Sequence, residues 1–250
     1  MNPATVTGSQ LRQFRQVGFN RISIGAQSFH ERELEILGRI HTAQETLSCF
    51  RAARDAGFDN ISLDLIFGIP RSDLASWQAT LEQAIGLSPE HLSLYNLTIE
   101  KETPFWMLQQ QGKLGLPDED TQSAMYHTGV ALLTQAGYEQ YEISNFARPG
   151  CRSQHNQIYW RNAEYVGLGA AAASYIRGCR YTNTPAVEEY IFGFASNPVQ
   201  EDALYPATVV TIEQLDCAAA MGETIMLNLR MLEGVDLTAF QRRFGAALEE

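Results

Sequence analysis

The chain has 250 residues and a formal net charge of −11, with 45% hydrophobic and 19% charged residues. This composition is typical of a soluble globular protein with one or two domains. The negative charge argues against nucleic acid or anionic lipid as the main partner, because both are polyanions. The sequence contains neither an apolar run of about eighteen residues nor a basic-then-apolar leader. We therefore expect a cytoplasmic protein.

The first half of the chain alternates between strand and helix patterns. Residues 20–27 are predicted to form a strand. Thr42 and Glu45 form a capping box that opens a helix ending near Gly57. Ser72 is predicted to cap the helix that follows, and residues 91–100 are predicted to form another strand.

Residues 60–70 form the apolar stretch around which the other elements are arranged. The run is too short for an ordinary helix and ends in Gly-Ile-Pro, so it is predicted to be a parallel strand buried on both faces. Repeated strand–helix units of this kind predict an α/β fold with a parallel sheet. Three strands alone would leave an open edge, which suggests part of a larger barrel or sheet.

The second half of the chain has a weaker pattern. Residues 117–137 are predicted to form a long helix and residues 138–146 a strand. From residue 148 to 180 the sequence is rich in glycine, alanine and aromatic residues, which predicts a loop-rich region. Residues 211–230 are predicted to be helical, and a further helix is predicted to begin at 235 and run to 248.

Polar side chains near the ends of the three predicted strands are candidates for a ligand site. Gln27 ends the first strand, Asp64 interrupts the second and Thr98 lies near the end of the third. Ligands of parallel α/β folds sit at the carboxyl ends of the strands, so these groups are placed to meet a polyol such as a ribose. Arg39 is a candidate clamp for a carboxylate or phosphate. A structural ion pair between Asp64 and Arg39 is the alternative, and the pattern leaves both open.

A second candidate site surrounds His155, which is followed by Tyr159 and Trp160. An imidazole beside aromatic walls is typical of haem ligation, whereas a histidine bonded to loop backbone is the structural alternative. Arg152 and Arg161 flank the segment and are candidates to meet two propionates. The four cysteines, Cys49, Cys151, Cys179 and Cys217, have no metal-site or cluster spacing.

Five segments, in order, resemble the oxygen-independent coproporphyrinogen oxidase-like family of radical SAM proteins, and within it the haem-chaperone branch. They are residues 20–29 (NRISIGAQSF), 38–41 (GRIH), 64–70 (DLIFGIP), 141–145 (YEISN) and 155–160 (HNQIYW). The resemblance implies a partial (β/α) barrel, about half present, followed by the start of a small helical domain. It also implies S-adenosylmethionine, a [4Fe–4S] cluster and haem as cofactors.

The resemblance assigns roles to the candidate residues. It implies that Gln27, Arg39, Asp64 and Thr98 contact S-adenosylmethionine, and that the segment of His155, Tyr159 and Trp160 binds haem, with His155 as the iron ligand. The family's Cys-x3-Cys-x2-Cys motif has no match here, so we expect a chain truncated at both ends. The family pattern Gly-x-Gly-Ala-His-Ser reads Gly-Ala-Ala-Ala-Ala-Ser at 169–174, which removes a second candidate porphyrin-facing histidine.

The resemblance predicts three regions: half of the barrel at 1–137, the haem-motif region at 138–205 and the start of a helical domain at 206–250. It implies a haem chaperone that delivers haem to acceptor proteins, with no nucleic-acid partner and at most weak membrane association through the acceptor. Two alternatives within the family are an oxygen-independent coproporphyrinogen III oxidase and an inactive truncated fragment. Without the resemblance, a barrel enzyme acting on a phosphorylated small molecule would also match the pattern.

Overall fold

The computed structural model of the chain describes residues 1–196 and 207–245. Within it the chain divides into two compact units, Met1–Ser153 and Gln154–Glu250. The predicted boundary between residues 205 and 206 lies outside the described residues. In the described part of the chain, no helix is long and apolar enough to cross a membrane.

The first unit is built on a sheet of five strands in the order β1-β2-β3-β5-β4. β1 (Ile22–Gln27), β2 (Ile61–Phe67) and β3 (His91–Asn96) pair in parallel. β4 (Glu139–Gln140) and β5 (Asn145–Ala147) are short, and β5 pairs antiparallel with both β3 and β4. The predicted α/β fold with a central parallel strand is thus confirmed, and β2 lies between β1 and β3 as a buried strand.

Six α-helices of the first unit precede, separate or follow these strands along the chain. They are α1 (Gly8–Gln16), α2 (Glu31–Ile36), α3 (Ala43–Asp55), α4 (Leu74–Gly86), α5 (Pro104–Gln110) and α6 (Glu119–Gln135), with a 3-10 turn at Pro3–Thr5. The predicted capping box of Thr42 and Glu45 is confirmed. The cap predicted at Ser72 is wrong: Asp73 caps α4, since its carboxylate accepts from the Ser76 N–H.

The core of the first unit lies between the sheet and these helices. Ile61, Leu63 and Leu65 of β2 are completely buried on that side and meet aromatic and aliphatic side chains of the helices. Trp77 of α4 also donates its indole N–H to the Met125 carbonyl of α6 at 2.7 Å. The other face of β2 carries Ser62, Asp64 and Ile66, so it presents polar groups away from the helices.

The second unit contains an antiparallel sheet that the sequence did not predict. In chain order, the elements of the second unit are α7 (Gln154–Trp160), β6 (Ala173–Ile176), β7 (Cys179–Asn183), α8 (Val187–Ser196), β8 (Val209–Gln214), α9 (Cys217–Asn228) and α10 (Leu237–Phe244). The sheet has the order β6-β7-β8. Asp216 and Asp236 cap α9 and α10 through their carboxylates.

Four predictions for the second half are corrected by these elements. Residues 138–146 form no continuous strand, because a turn separates β4 from β5. Residues 211–214 belong to β8 rather than to a helix, and the region 148–180 holds one helix, all of β6 and the first two residues of β7. The helix predicted from 235 begins at Leu237 and reaches Phe244, while residues 246–248 lie outside the described part.

Candidate functional site

Asp64 lies on the polar face of the parallel sheet. Its partner across the β2–β3 ladder is Ser93, and its neighbour on the β1 side is Ser23. The Ser23 hydroxyl donates to Asp64 Oδ2 at 2.8 Å, and the carboxylate stays half-buried. The remaining lone pairs of the carboxylate leave capacity for further donors such as hydroxyl groups.

Gln27 ends β1 in an unusual backbone conformation. Its φ is 66°, in the left-handed region that residues other than glycine rarely adopt, and the ladder to β2 is irregular between Ile24 and Gln27. A Cβ on Gly25 would lie 2.5 Å from Gln27 Nε2. Glycine at position 25 therefore lets the buried amide of Gln27 lie close against the strand.

Arg39 follows α2 and is half-buried. Its Nε is buried and has no hydrogen-bond partner among the described residues. None of the ion pairs in residues 1–196 and 207–245 joins Arg39 to Asp64. A buried guanidinium nitrogen without an acceptor is costly, so this atom is suited to a ligand carboxylate or phosphate.

Thr98 is exposed and lies two residues beyond the end of β3. Gln27 and Asp64 stand on adjacent strands, because Gln27 pairs with Leu65. Thr98 lies beyond the carboxyl end of the next strand in the sheet. Gln27 and Thr98 thus lie at or beyond the carboxyl ends of their strands, whereas Asp64 lies in the middle of β2, and no described contact joins Arg39 to these residues.

A polar network near the start of the strands was missed from the sequence. His91 Nδ1 lies 2.8 Å from the Ser62 hydroxyl and His91 Nε2 lies 2.8 Å from the Tyr141 hydroxyl. Burial, and secondarily the Arg21 guanidinium, lowers the pKa of His91 to about 3, so the ring is neutral. Burial also raises the pKa of Tyr141 to about 12.

Arg21 accompanies this network at the entry to β1. Burial lowers the pKa of its guanidinium, and the nearby Tyr141 and Asp64 counter that effect. Its Nε is buried with no described hydrogen-bond partner.

Glu142, which is fully buried, accepts from the side-chain amide of Asn145 and from the Ser144 N–H. Arg21 belongs to the segment NRISIGAQSF and Tyr141 to the segment YEISN. Their contacts join residues far apart in the chain, so the local sequence pattern could not predict them.

The predicted haem segment forms α7. His155 lies in its first turn and is exposed, and Tyr159 follows one turn later. The two rings meet edge to face with centroids 4.8 Å apart, and Tyr159 meets Tyr165 at 4.5 Å. No described residue forms a hydrogen bond to the His155 imidazole. An exposed imidazole held against a tyrosine is able to supply an axial nitrogen to haem iron.

Trp160 ends α7 and is half-buried. The guanidinium carbon of Arg230 lies 4.2 Å from the centroid of its ring. Its indole Nε1 is buried with no hydrogen-bond partner among the described residues. The Asn228 side chain also donates to the Trp160 carbonyl at 3.0 Å.

The two arginines that flank the segment already have carboxylate neighbours. In the second unit, Arg161 Nη2 lies 3.5 Å from Glu233 Oε2, with both side chains more than half exposed. In the first unit, Arg152 Nη2 lies 3.5 Å from Glu139 Oε2. An exposed pair such as that of Arg161 contributes only about 0–1 kcal/mol, so an anionic ligand can compete for this arginine.

Comparison with known families adds a separate line of evidence. The profile of the Radical SAM superfamily matches residues 1–84, which include β1, β2 and the predicted positions Gln27, Arg39 and Asp64. The profile of the HemN C-terminal domain matches residues 215–250. Two segments of the chain are therefore similar to a radical SAM domain and to a HemN-type C-terminal domain.

Similar proteins bear two kinds of name. The heme chaperone HemW of Bacillus subtilis is 37% identical over 253 residues, covering 99% of this chain and 63% of that protein. HemW of Escherichia coli is 44% identical over 171 residues, covering 68% of this chain and 44% of that protein. The mitochondrial radical S-adenosyl methionine domain-containing protein 1 of Mus musculus is 41% identical over 171 residues, covering 68% of this chain and 39% of that protein.

The fold resembles that of a solved radical SAM enzyme. Coproporphyrinogen III oxidase (HemN) of Escherichia coli superimposes with a TM-score of 0.77 over 98% of this chain and 57% of that chain. Its sequence identity is 21%, so the similarity shows the fold. The chain spans 63% of the length of the Bacillus subtilis relative.

The cysteines do not match the needs of a [4Fe–4S] cluster. Among the described residues, no three His, Cys, Asp or Glu side chains form a group that would hold a metal ion. Cys49 and Cys151 belong to the first unit, whereas Cys179 and Cys217 belong to the second. Cys49 and Cys179 are also buried. This donor set therefore does not fit the cluster, whereas the unpartnered Arg39 and the open carboxylate of Asp64 fit S-adenosylmethionine.

Proposed function

We propose that this chain is the haem-binding and S-adenosylmethionine-binding part of a heme chaperone of the radical SAM class, which passes haem to acceptor proteins. Relatives that match nearly the whole chain are named heme chaperone HemW. The proposal keeps the cytoplasmic location that we expect from the sequence.

The observation that carries the proposal is the exposed imidazole of His155. α7 places it in the first helical turn, and Tyr159 packs edge-on against it at 4.8 Å. Haem needs an axial donor together with aromatic or apolar contact to the macrocycle. His155 would supply the nitrogen, and Tyr159 and Trp160 would supply aromatic contact. Arg161 would release Glu233 to meet a propionate.

For S-adenosylmethionine we assign Gln27, Arg39, Asp64 and Thr98. Asp64 would accept from ribose hydroxyls, because Ser23 leaves part of its carboxylate free. Arg39 would pair with the ligand carboxylate through a guanidinium that has no ion-pair partner among the described residues. Gln27 and Thr98 would complete the contacts at the strand ends. Since the cysteines do not fit a cluster, the proposal assigns binding to this chain and no radical step.

The haem assignment is tested by titrating the purified protein with haem. We expect stoichiometric binding, and we expect His155→Ala to shift the Soret band and weaken binding at least tenfold, since one axial bond is lost. His127→Ala is the matched control, because His127 is also an exposed histidine beside a tyrosine, with Tyr126 at 5.5 Å. Equal spectra and affinities for the two variants would remove His155 as the ligand. Failure of the wild-type protein to bind haem would favour the inactive-fragment alternative.

A coproporphyrinogen III oxidase is the second candidate, and the fold similarity to HemN favours it. An oxidase binds an iron-free tetrapyrrole and needs no axial ligand. Decarboxylation of coproporphyrinogen by the protein, assayed together with the segments present in its longer relatives, would support this candidate. Haem binding that depends on His155 without such turnover supports the chaperone.

A further inference from the structure

The carboxyl end of α7 is held by the C-terminal segment of the same unit. The Asn228 side chain donates to the Trp160 carbonyl at 3.0 Å. Two residues further along, the Asn162 amide donates to Thr224 Oγ1 at 2.9 Å, and its carbonyl accepts from Arg243 Nη1 at 2.6 Å. Asn162 and Thr224 are both buried, so these bonds are protected from water. Segment 160–162 is therefore fixed by side chains from α9 and α10.

Arg230 acts on the Trp160 side chain rather than on its backbone. Its guanidinium carbon lies 4.2 Å from the ring centroid, well inside the range of a cation–π contact. The indole Nε1, which usually fixes a buried tryptophan through a hydrogen bond, has no such partner in the described residues. The plane of this ring is therefore set by stacking.

We propose that Arg230 is a positioning residue for haem: by covering one face of Trp160, it fixes the indole so that the opposite face meets the porphyrin bound at His155. The inference rests on the proposed haem function. It also assigns a role to the C-terminal domain, because Arg230 lies within the segment that matches the HemN C-terminal profile.

The physical basis is the planarity of both groups. An indole has two faces, and a guanidinium stacked on one of them leaves only the other for a flat ligand. Arginine suits this position because its fork is planar and weakly hydrated, whereas the lysine ammonium is a compact, strongly hydrated charge. A lysine at position 230 would keep the charge and lose the stacking surface.

The experiment compares Arg230→Ala, Arg230→Lys and Arg242→Ala in the full chain. Haem affinity, the Soret spectrum and the melting temperature without haem are measured for each. Arg242 is the matched control, because it is an exposed arginine of α10 whose Nε bonds within its own helix, to the Thr238 carbonyl. We expect Arg230→Ala and Arg230→Lys to weaken haem binding about fivefold to tenfold and to shift the Soret band, and Arg242→Ala to match the wild type.

A double-mutant cycle shows whether Arg230 acts through Trp160. If it does, Arg230→Ala will weaken haem binding in the wild-type background and have no further effect in Trp160→Ala. Equal effects in both backgrounds would overturn the inference. Full rescue by Arg230→Lys, or a lower melting temperature with unchanged haem affinity and spectrum, would do the same by showing a charge or structural role.

The two proposals fail in different ways. Haem binding that needs His155 but is unchanged in Arg230→Ala overturns the positioning role and leaves the proposed function in place. Haem binding that is unchanged in His155→Ala overturns the ligand assignment. No haem binding by the wild-type protein overturns both.

Discussion

At the scale of single residues, Asp64 is a carboxylate within an apolar strand, and the Ser23 hydroxyl satisfies only part of its hydrogen-bonding capacity. Its hydrogen-bond partner Ser23 is 41 residues away, and it is not the Arg39 that the alternative had named. The His91–Tyr141 bond spans 50 residues. Such partners depend on strand register, which the local pattern does not specify.

Asp64→Asn should separate ligand binding from folding. The asparagine oxygen still accepts from Ser23, so the melting temperature without ligand should stay nearly unchanged. Loss of one charge-assisted hydrogen bond should weaken S-adenosylmethionine binding by about 1.5–3 kcal/mol. Calorimetry with and without the ligand measures both quantities. A clearly lower melting temperature with unchanged affinity would make Asp64 a structural residue.

The stability of the protein should depend on pH through His91. Its folded-state pKa of about 3 lies below the ordinary value of 6.5, because the buried ring resists protonation. The unfolded chain therefore binds more protons between these values, and stability falls as pH falls from 6.5 towards 3. Each unit of difference in pKa contributes about 1.4 kcal/mol, so the loss should amount to a few kcal/mol.

Urea unfolding at several pH values tests this dependence. We expect His91→Gln, which keeps an uncharged polar side chain, to be less stable at pH 7 but to lose much less stability on acidification than the wild type. His127→Ala, which removes an exposed histidine, should keep the wild-type dependence. Identical pH dependence in the wild type and His91→Gln would assign the acid sensitivity to other groups.

At the scale of elements, strong local patterns were predictable and weak ones were not. The parallel strands were recognised because β2 is a nearly continuous apolar run between capped helices. The antiparallel sheet was missed because β6 and β7 lie in a glycine- and alanine-rich region. Residues 211–214 of β8 were assigned to a helix because the strand is followed closely by α9, although residues 209–212 read Val-Val-Thr-Ile, which is typical of a strand. Asp216, which caps α9, was the sequence signal that marks the boundary between β8 and α9.

The entry to β6 contains a strained residue that can be relieved. Ala171 has a φ of 59°, at the position where the family pattern Gly-x-Gly-Ala-His-Ser has its second glycine. The left-handed conformation costs alanine about 1–2 kcal/mol, and glycine would remove this strain. Glycine also makes the unfolded chain more flexible, which offsets part of the gain in stability. We expect Ala171→Gly to raise the free energy of unfolding by about 0.5–1 kcal/mol, measured by urea denaturation. Ala170→Gly is the control in the same segment, and a gain there but not at 171 would contradict the strain.

At the scale of the whole chain, the residues for the proposed ligands fall into separate units. The S-adenosylmethionine candidates lie in Met1–Ser153, whereas His155, Tyr159 and Trp160 lie in Gln154–Glu250. The cysteines follow no such grouping, and they are divided between the units.

The 250-residue chain should therefore not assemble a stable [4Fe–4S] cluster by itself. Such clusters are held by closely grouped thiolates, and burial raises the pKa of the Cys49 thiol, which disfavours its thiolate form. Anaerobic reconstitution with iron and sulfide should give no stable cluster absorbance and far fewer than four irons per chain. A radical SAM protein with a complete cysteine motif, treated in parallel, should take up its cluster. Four tightly bound irons per chain, lost in Cys151→Ser, would instead make Cys151 a cluster ligand.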